Sequence, residues 1–165
     1  MKKLFMIVSL AALTSSAVLA NATANLTPSA SITNSCTVTG NPLSFGAYDP
    51  IGGAAVTQTA TISIACTNGM TAPPVTLDEG LNAASGSTPA APLRQLNTGT
   101  IGQNLTYNLY TTGGFSTVWD NVTGIPVATV DGTAHTMTVF GKIDAGQHSA
   151  VAGTYTDTVI ITVTF

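Results

Sequence analysis

The chain repeats short runs in which apolar residues alternate with threonine, serine and other polar residues. A period of two is typical of a β-strand with one face on a core, because successive side chains point to opposite faces. Five runs are clear enough to predict such strands. Their apolar faces consist of Ala30, Ile32, Cys36 and Val38; Val56, Ala60, Ile62, Ile64 and Cys66; Leu105, Tyr107 and Leu109; Met137, Val139 and Ile143; and Tyr155, Val159, Ile161, Val163 and Phe165. Weaker patterns predict strands near Pro74–Leu77, Val118–Asp120 and Val127–Val130.

Turn-forming residues separate the runs, as in Asn68-Gly69 and Asp131-Gly132. Residues 81–92 are small and polar with two prolines, which predicts an exposed loop. No stretch has the 3.6-residue period of an amphipathic helix, and no linker divides the chain. Many short strands with frequent turns indicate a single all-β domain, either a sandwich or a barrel.

The first twenty residues have the layout of a secretory signal peptide. Lys2 and Lys3 form a short cationic start, residues 4–13 are almost entirely apolar, and small residues up to Ala20 form a cleavage site. We expect cleavage after Ala20, with Ala22 as the alternative. An uncleaved membrane anchor is disfavoured because the apolar run is shorter than the roughly 20 residues that a membrane span needs. The mature chain is therefore expected to be exported.

Composition narrows the function classes. Of 165 residues, 4 are Lys or Arg and 7 are Asp or Glu, whereas 29 are Thr and 16 are Gly. Lys2 and Lys3 leave with the signal peptide, so the mature chain keeps two cations against seven anions. Two cations cannot form the basic patch that nucleic-acid binding requires, and the charged helix formers of coiled coils are scarce. The abundance of threonine and other β-branched residues agrees with an all-β domain.

The two cysteines, Cys36 and Cys66, lie on the apolar faces of their predicted strands. Because exported proteins fold in an oxidising compartment, we expect one disulfide between them. It would face the core and join two paired strands, if those strands are neighbours. Closing a loop of about 30 residues contributes roughly 3–4 kcal/mol by chain entropy. A metal site is disfavoured, since two cysteines and two distant histidines lack metal-ligand spacing.

The two ends of the mature chain each carry an unusual feature. Ala22, Ala24, Leu26 and Pro28 continue the even-numbered alternation ahead of the first predicted strand. One strand that included them would span at least 17 residues, from 21 to 37, well beyond the usual range of roughly 3–10. At the other end, the sequence ends at Phe165 inside its most hydrophobic strand, and we expect the edge of that strand to be uncovered. A spare strand and an uncovered strand together indicate complementation between subunits, a mode known from chaperone–pilin complexes.

Several motifs carry a resemblance to a known family. The most specific is Pro42-Leu43-Ser44-Phe45-Gly46-Ala47-Tyr48-Asp49-Pro50, which follows Cys36. The others are residues 30–38, residues 62–69, residues 96–110 and the closing segment 153–165. With these motifs, essentially the whole mature chain resembles the spore coat protein U domain, the fold of archaic chaperone–usher pilus subunits.

The resemblance implies an all-β fold, an incomplete immunoglobulin-like β-sandwich lacking its last strand, with a donor-strand extension at the N-terminus. It divides the chain into a signal peptide (1–20), a donor strand with a hinge (21–29) and a pilin-like domain (30–165). The implied donor side chains are Ala22, Ala24, Leu26 and Pro28. Pro28 lacks an N–H and is the expected hinge. The implied acceptor groove is lined by Ile32, Val38, Val159, Ile161, Val163 and Phe165.

The resemblance also implies partners and a role. A periplasmic chaperone would lend the missing strand, and at the outer-membrane usher the next subunit would replace it. The function implied is a structural subunit of an extracellular pilus that polymerises head to tail and supports adhesion and biofilm formation. The alternatives are a coat protein of a spore or cell surface with the same fold, and a single-domain surface adhesin.

An enzyme is the least favoured class, and no cofactor is implied. His135 and His148 are the only histidines and are expected at surface turns. No Gly-x-Ser-x-Gly elbow or other setting for a nucleophile is present. Asp78-Glu79 is the one adjacent carboxylate pair and is expected to be a solvated turn. The one tryptophan, Trp119, is expected to be a core or edge aromatic rather than an adhesive contact.

Overall fold

A computed structural model describes residues 21–165 of the protein, which fall into two units. The first unit ends at Ser31, and its described residues are exposed and have no regular secondary structure. The second unit spans Ile32–Phe165 and contains strands, turns and loops, with no helix between residues 32 and 165. The predicted signal peptide, residues 1–20, lies outside the described residues. Between residues 21 and 165, no helix has the length and apolar character needed to cross a membrane.

Eight strands of the second unit pair antiparallel in two sheets. The strands are β1 (Cys36–Gly40), β2 (Val56–Cys66), β3 (Pro74–Leu77), β4 (Arg94–Asn97), β5 (Asn104–Tyr110), β6 (Ile125–Pro126), β7 (His135–Ile143) and β8 (Ile161–Val163). The large sheet has the order β1-β2-β7-β5-β4, and the small sheet has the order β6-β3-β8. Since β2 pairs with β7 and β3 with β8, strands distant in sequence are neighbours in the fold.

The apolar faces of the two sheets meet in one core. Side chains alternate along a strand, so every second residue of β2, β5 and β7 points into this core. The buried apolar residues are Ile62, Ile64, Cys66, Val75, Leu77, Leu105, Tyr107, Leu109, Trp119, Val127, Val139 and Ile143. On the outer face of β2, Thr57 and Thr59 are exposed. The alternation therefore predicted the all-β class and the inward faces of β2, β5 and β7 correctly.

Four predicted strands are confirmed. The run from Val56 to Cys66 is β2, and the weaker pattern at Pro74–Leu77 is β3. The faces predicted over residues 105–109 and 137–143 belong to β5 and β7. Each of these segments has a partner strand on at least one side, which is why sequence pattern and tertiary pairing agree.

The first predicted run is a strand only in its second half. β1 begins at Cys36, whereas Ala30 and Ile32 are exposed and lie outside any strand. β2 ends at Cys66, and pairing continues one residue further, where Thr67 N–H donates to the Ser35 oxygen (2.9 Å). Residues 32–34 have no strand beside them in the second unit. The prediction that Ala30 and Ile32 belong to the first strand was wrong for this reason.

Two weaker predictions were wrong, and two strands, β4 and β6, were missed. The Val118–Asp120 segment makes an isolated bridge from Val118 to Tyr110 but no strand. Residues 127–130 follow β6 and form no strand. The sequence pattern did not predict β4, because Arg94 occupies an inward position where an alternating run would carry an apolar residue.

The disulfide between Cys36 and Cys66 is confirmed. The two residues are directly opposite each other in the antiparallel register of β1 and β2. Cys66 is buried and Cys36 is half-buried, so the bridge faces the core as expected. It fastens the edge strand β1 to the rest of the large sheet.

Arg94 and Trp119 close one side of the sandwich, which we call the closed flank. Arg94 is fully buried and donates from Nε to the Asp78 oxygen (2.8 Å) and from Nη2 to the oxygens of Leu77 (2.9 Å) and Trp119 (2.8 Å). Trp119 is buried, as one alternative predicted, and its indole N–H donates to the Val75 oxygen (2.9 Å). Because Arg94 belongs to the large sheet and Leu77 and Val75 to the small one, these bonds join the two sheets.

Candidate functional site

The edge strand β1 leaves one row of main-chain groups unpaired. Asn41 N–H donates to the Thr61 oxygen (2.9 Å), and Thr67 N–H donates to the Ser35 oxygen (2.9 Å). In an antiparallel pair the hydrogen-bonded residues alternate, so the odd-numbered residues of β1 face β2. The N–H and C=O groups of Cys36, Val38 and Gly40 therefore point away from the large sheet.

A second unpaired edge runs along residues 155–165, where the predicted long strand is confirmed only at Ile161–Val163, which form β8. The hydrogen bonds of this segment use its even-numbered residues: Thr156 bonds Asn97, Asp78 N–H donates to the Ile160 oxygen (3.1 Å), and Thr164 N–H donates to the Pro74 oxygen (3.2 Å). Within residues 21–165, no hydrogen bond uses the main-chain groups of residues 157 or 159. The odd-numbered residues therefore present a free edge. We call this edge together with β1 the open flank.

An apolar cleft of about 190 Å³ lies between the two edges. On one side it is bounded by Gly40 of β1, and on the other by Val159 and Ile161. Core side chains such as Ile62 and Leu109 form part of its lining. A Cβ on Gly40 would lie 2.6 Å from Ile161 Cδ1, so a side chain at position 40 would narrow the cleft. Within the second unit, no strand lies between β1 and β8.

A second, larger cleft of about 750 Å³ adjoins the first on the N-terminal side of Asp157. It lies between residues 43–50 and residues 150–157. Leu43, Phe45, Leu96 and Asp157 line both clefts, so the two clefts share this part of their wall. The two clefts together make one groove along the open flank.

Asp157 carries the one carboxyl group among the described side chains that line either cleft. Its Oδ2 accepts a hydrogen bond from Tyr107 OH (2.7 Å), and its Oδ1 accepts from Asn82 N–H (3.2 Å) and Asn82 Nδ2 (3.1 Å). A Cβ at Gly80 would collide with the carboxylate, so the glycine makes room for it. Burial, reinforced by the bond to Asp157, raises the pKa of Tyr107, which keeps this hydroxyl a proton donor.

Only some of the predicted acceptor residues line the groove. Val159 and Ile161 line the first cleft, and Val163 is half-buried on the same face. Val38 and Phe165 are exposed by 40% and 62% at the two edges of the open flank. Ile32 is exposed by 88% and lies outside β1. The predicted donor residues Ala22, Ala24, Leu26 and Pro28 are exposed in the first unit; their role stays a prediction.

Sequence reasoning missed several residues of the groove. Leu43 and Phe45 are half-buried and pack closely on Gly141 of β7. A Cβ at Gly141 would lie 2.8 Å from the Leu43 side chain and 2.9 Å from the Phe45 ring. The signal for them was present, because both belong to the most specific motif and are separated by one residue. Asp157 gave no such signal, since a polar residue inside an apolar run reads as an interruption.

The other polar groups do not form a catalytic arrangement. His135 begins β7, so its expected place in a turn was wrong, and its Nε2 lies 2.8 Å from Asp131 Oδ1 at the surface. Hydrogen bonds from Thr133 and His135 hold the pKa of Asp131 below its usual range. His148 lies in a turn, as expected. Between residues 21 and 165, no cluster of three metal-ligating side chains occurs.

The expectation of a solvated turn at Asp78-Glu79 was wrong for Asp78. This residue is half-buried, and its Oδ1 accepts hydrogen bonds from Gly80 N–H (3.0 Å) and Ile160 N–H (2.9 Å). The carboxylate thus connects the end of β3 to the segment that forms the free edge. Its role is to position that edge.

Known proteins of similar sequence and fold agree with this architecture. The chain matches the family model of the Spore Coat Protein U domain over residues 21–162. It is 36% identical over 157 residues to Protein U of Myxococcus xanthus, covering 88% of this chain and 86% of that protein. It also superposes, with a TM-score of 0.56 and 18% identity, on a chain in the crystal structure of the CsuC–CsuE chaperone–tip adhesion subunit pre-assembly complex from archaic chaperone–usher Csu pili of Acinetobacter baumannii.

The structural match covers 81% of this chain and 40% of the solved chain, so the protein spans less than half of that chain's length. At this level of identity the likeness is one of fold, an immunoglobulin-like β-sandwich. The family match covers nearly all of the described residues, and the relative in Myxococcus xanthus aligns over most of both sequences. The chain belongs to the Spore Coat Protein U domain family.

Proposed function

We propose that the protein is a structural subunit of an extracellular chaperone–usher pilus, and that the N-terminal segment of one subunit fills the open flank of the next. One observation carries this proposal: two unpaired strand edges border the first, apolar cleft of the groove. An unpaired edge is a template for another strand. A strand that enters this groove bonds main-chain groups on both sides and places alternate side chains in the clefts.

The N-terminal segment of a second copy has the pattern that the groove requires. Ala22, Ala24 and Leu26 fall on one face of an extended strand. From residue 22 to residue 28 such a strand spans about 20 Å, and the edge from 155 to 165 spans about 33 Å, so the edge can receive the whole segment. Burying Leu26 contributes roughly 1.5–3 kcal/mol, and each alanine much less.

Donor and acceptor are different surfaces, which determines the form of the assembly. Each subunit gives its segment to one neighbour and receives a segment from another. Such a contact is heterologous and does not close, so it produces a fibre. Before assembly, a periplasmic chaperone covers the open flank, and the exchange takes place at an outer-membrane usher. The solved complex of a chaperone with a subunit of the same fold supports this order of events. The fibre in turn supports adhesion and biofilm formation.

Deleting residues 21–28 tests the proposal. The exported full chain is expected to form detergent-resistant multimers that dissociate on heating, because a strand-exchanged interface has a very slow off-rate. When the shortened chain is exported alone, every copy can accept a donor but none can give one, so it is expected to remain monomeric or bound to the chaperone. Electrophoresis in detergent before and after heating measures both. Multimers of unchanged length from the shortened chain would contradict the proposal.

A pair of point variants separates the donor pattern from a general effect of the segment. Leu26→Asp places a charge on the face that enters the groove, and we expect it to abolish the multimers. Thr27→Asp places the same charge on the opposite face, where it remains in solvent, and should leave assembly nearly intact. Equal effects of the two variants would argue against strand insertion.

A coat protein of a spore or cell surface is the second candidate, because the matching family carries that description. The same strand exchange could build a coat layer. Electron microscopy of the exported material distinguishes the two: a pilus subunit gives thin fibres that extend from the cell, whereas a coat protein gives a continuous layer.

A further inference from the structure

We propose that Asp157 sets the register of the strand that fills the open flank, a role that rests on the function proposed above. A strand with alternating side chains can enter a groove in several registers two residues apart. An apolar groove alone does not distinguish them well. A fixed carboxylate at one place in the groove distinguishes the registers, because it accepts some donor side chains and rejects others.

Asp157 interrupts an otherwise apolar row. On the inward face of residues 155–165, its neighbours two residues away are Tyr155 and Val159, followed by Ile161 and Val163. Asp157 belongs to the wall shared by the two clefts, so a strand that runs through both must cross it. Its side chain therefore lies at a defined point in the path of the donor.

The carboxylate cannot turn away to make room. Tyr107 OH and both nitrogens of Asn82 bond its two oxygens, at distances between 2.7 Å and 3.2 Å. The backbone of Gly80 lies against the same group. Tyr107 is buried and Asn82 is half-buried, so the partners are themselves held in place.

A fixed carboxylate discriminates by size and by hydrogen bonding. A large apolar side chain placed over it removes water from the charge and gives no hydrogen bond in return, which is unfavourable. A small side chain leaves space, and a hydroxyl can donate to the carboxylate. The favoured register thus puts a small or hydroxyl-bearing residue opposite Asp157 and the bulky one in the neighbouring apolar cleft.

The donor segment of this chain satisfies that rule in one register. With Leu26 in the cleft beside Val159 and Ile161, the residue two positions away is Ala24 or Pro28, depending on the strand direction. Both are smaller than leucine. A slip by two residues would place Leu26 over Asp157, and a slip by one would turn Leu26 out of the groove.

Valine and threonine test the rule, because they have nearly the same shape and only threonine can donate. Each is introduced into the full mature chain at positions 22, 24 and 28, and the dissociation rate of the multimers is measured in detergent at a fixed elevated temperature. At the position opposite Asp157, either 24 or 28, the valine variant is expected to dissociate about tenfold faster than the threonine variant. At position 22, which serves as the matched control, the two rates should be similar.

Asp157→Asn provides the second measurement. It keeps the shape of the side chain and removes the charge, so the difference between valine and threonine at the sensitive position should shrink to about twofold. A valine-to-threonine ratio that is equal at all three positions, or largest at position 22, overturns the role of Asp157. If the unmutated full chain forms no multimers, the proposed function itself fails; if it forms multimers without this position dependence, only the register role fails.

Discussion

The closed and open flanks belong to the same sandwich but satisfy their main-chain groups in opposite ways. At the closed flank, the guanidinium of Arg94 bonds three carbonyl oxygens and joins the large sheet to the small one. At the open flank, β1 and the edge of residues 155–165 leave main-chain groups free on both sides of an apolar groove. One flank is completed from within the chain, whereas the other leaves the same kinds of groups unpaired.

The difference shows how a sandwich with a missing strand can keep its shape. Between residues 21 and 165 there are two cations, and Arg94, one of them, is fully buried. Burial lowers the pKa of Arg94 from its ordinary value, yet its bonds to carbonyl oxygens hold the sheets together where β4 and β3 meet. With that side fixed, the opposite side can stay open without the two sheets separating.

The largest effect is expected from breaking the closed flank. Arg94→Met keeps much of the buried volume but leaves the oxygens of Leu77, Asp78 and Trp119 without their donor. Losing these charged hydrogen bonds should lower the free energy of unfolding by about 3–5 kcal/mol. Urea denaturation of the purified mature chain measures the loss. Lys142→Met, which removes the half-buried cation paired with Asp144, is the control. An Arg94 variant as stable as the Lys142 variant would refute the role of the closed flank.

The next largest loss of stability is expected from removing the disulfide of the open flank. Replacing Cys36 and Cys66 together by alanine removes a disulfide between residues that are 30 positions apart in the sequence. The free energy of unfolding should fall by roughly 3–4 kcal/mol. Because β1 supplies one of the two free edges, assembly should decline further than stability alone explains. Urea denaturation and the yield of detergent-resistant multimers check the two effects. If the multimers persist unchanged after the double substitution, β1 is not an acceptor edge.

The hydrogen bond from Tyr107 to Asp157 should contribute less to the stability of the fold than the disulfide does. Tyr107→Phe removes one of three hydrogen bonds to Asp157, with an expected cost of about 1.5–2 kcal/mol near neutral pH. Tyr155→Phe, whose hydroxyl bonds the main chain of Val151, controls for loss of a tyrosine hydroxyl.

The pH dependence has a definite sign for this tyrosine. Folding raises the pKa of Tyr107 above its ordinary value of about 10, so its contribution is complete below that pH. The contribution is lost as the pH rises further, since the unfolded chain releases the proton first. Stability of the parent chain should therefore fall above about pH 10, and Tyr107→Phe should flatten that fall. An unchanged alkaline slope in the variant would contradict the assignment.

Closing the groove should have the smallest effect on the fold and a large one on assembly. In Gly40→Val the added side chain meets Ile161 Cδ1, the mobile end of a side chain, so the overpacking should cost about 1 kcal/mol. The same side chain occupies part of the cleft, and multimers should decrease severalfold. Gly52→Val is the matched control, since a Cβ there makes an ordinary contact with Asp49 Oδ2 at 3.8 Å. Equal assembly by both variants would place the contact between subunits elsewhere.

Local pattern was enough for part of the fold. The alternation of Val56–Cys66 predicted β2 and its inward face, and the cysteine positions predicted the disulfide. These predictions succeed because burial of one strand face imposes a period of two on the sequence. The motif that contains Leu43 and Phe45 was also visible, although its place at the groove was not.

The remaining features depend on which strands become neighbours. Ile32 continues an apolar pattern yet is exposed, because β2 ends before it. Arg94 reads as a surface cation and is buried, because three carbonyl oxygens converge on it from β3 and from the segment of Trp119. Asp157 reads as an interruption of a strand and becomes a fixed carboxylate inside the groove.

The sequence by itself determined the all-β class, the inward faces, the disulfide and the family, because each depends on residue order along one strand or on a local motif. Only the tertiary structure decided which edges stay free and which polar groups are buried. A free edge is defined by the absence of a neighbouring strand, and a buried arginine by acceptors that approach from distant segments. Both are set when strands far apart in sequence pair, and no short window of the chain contains them.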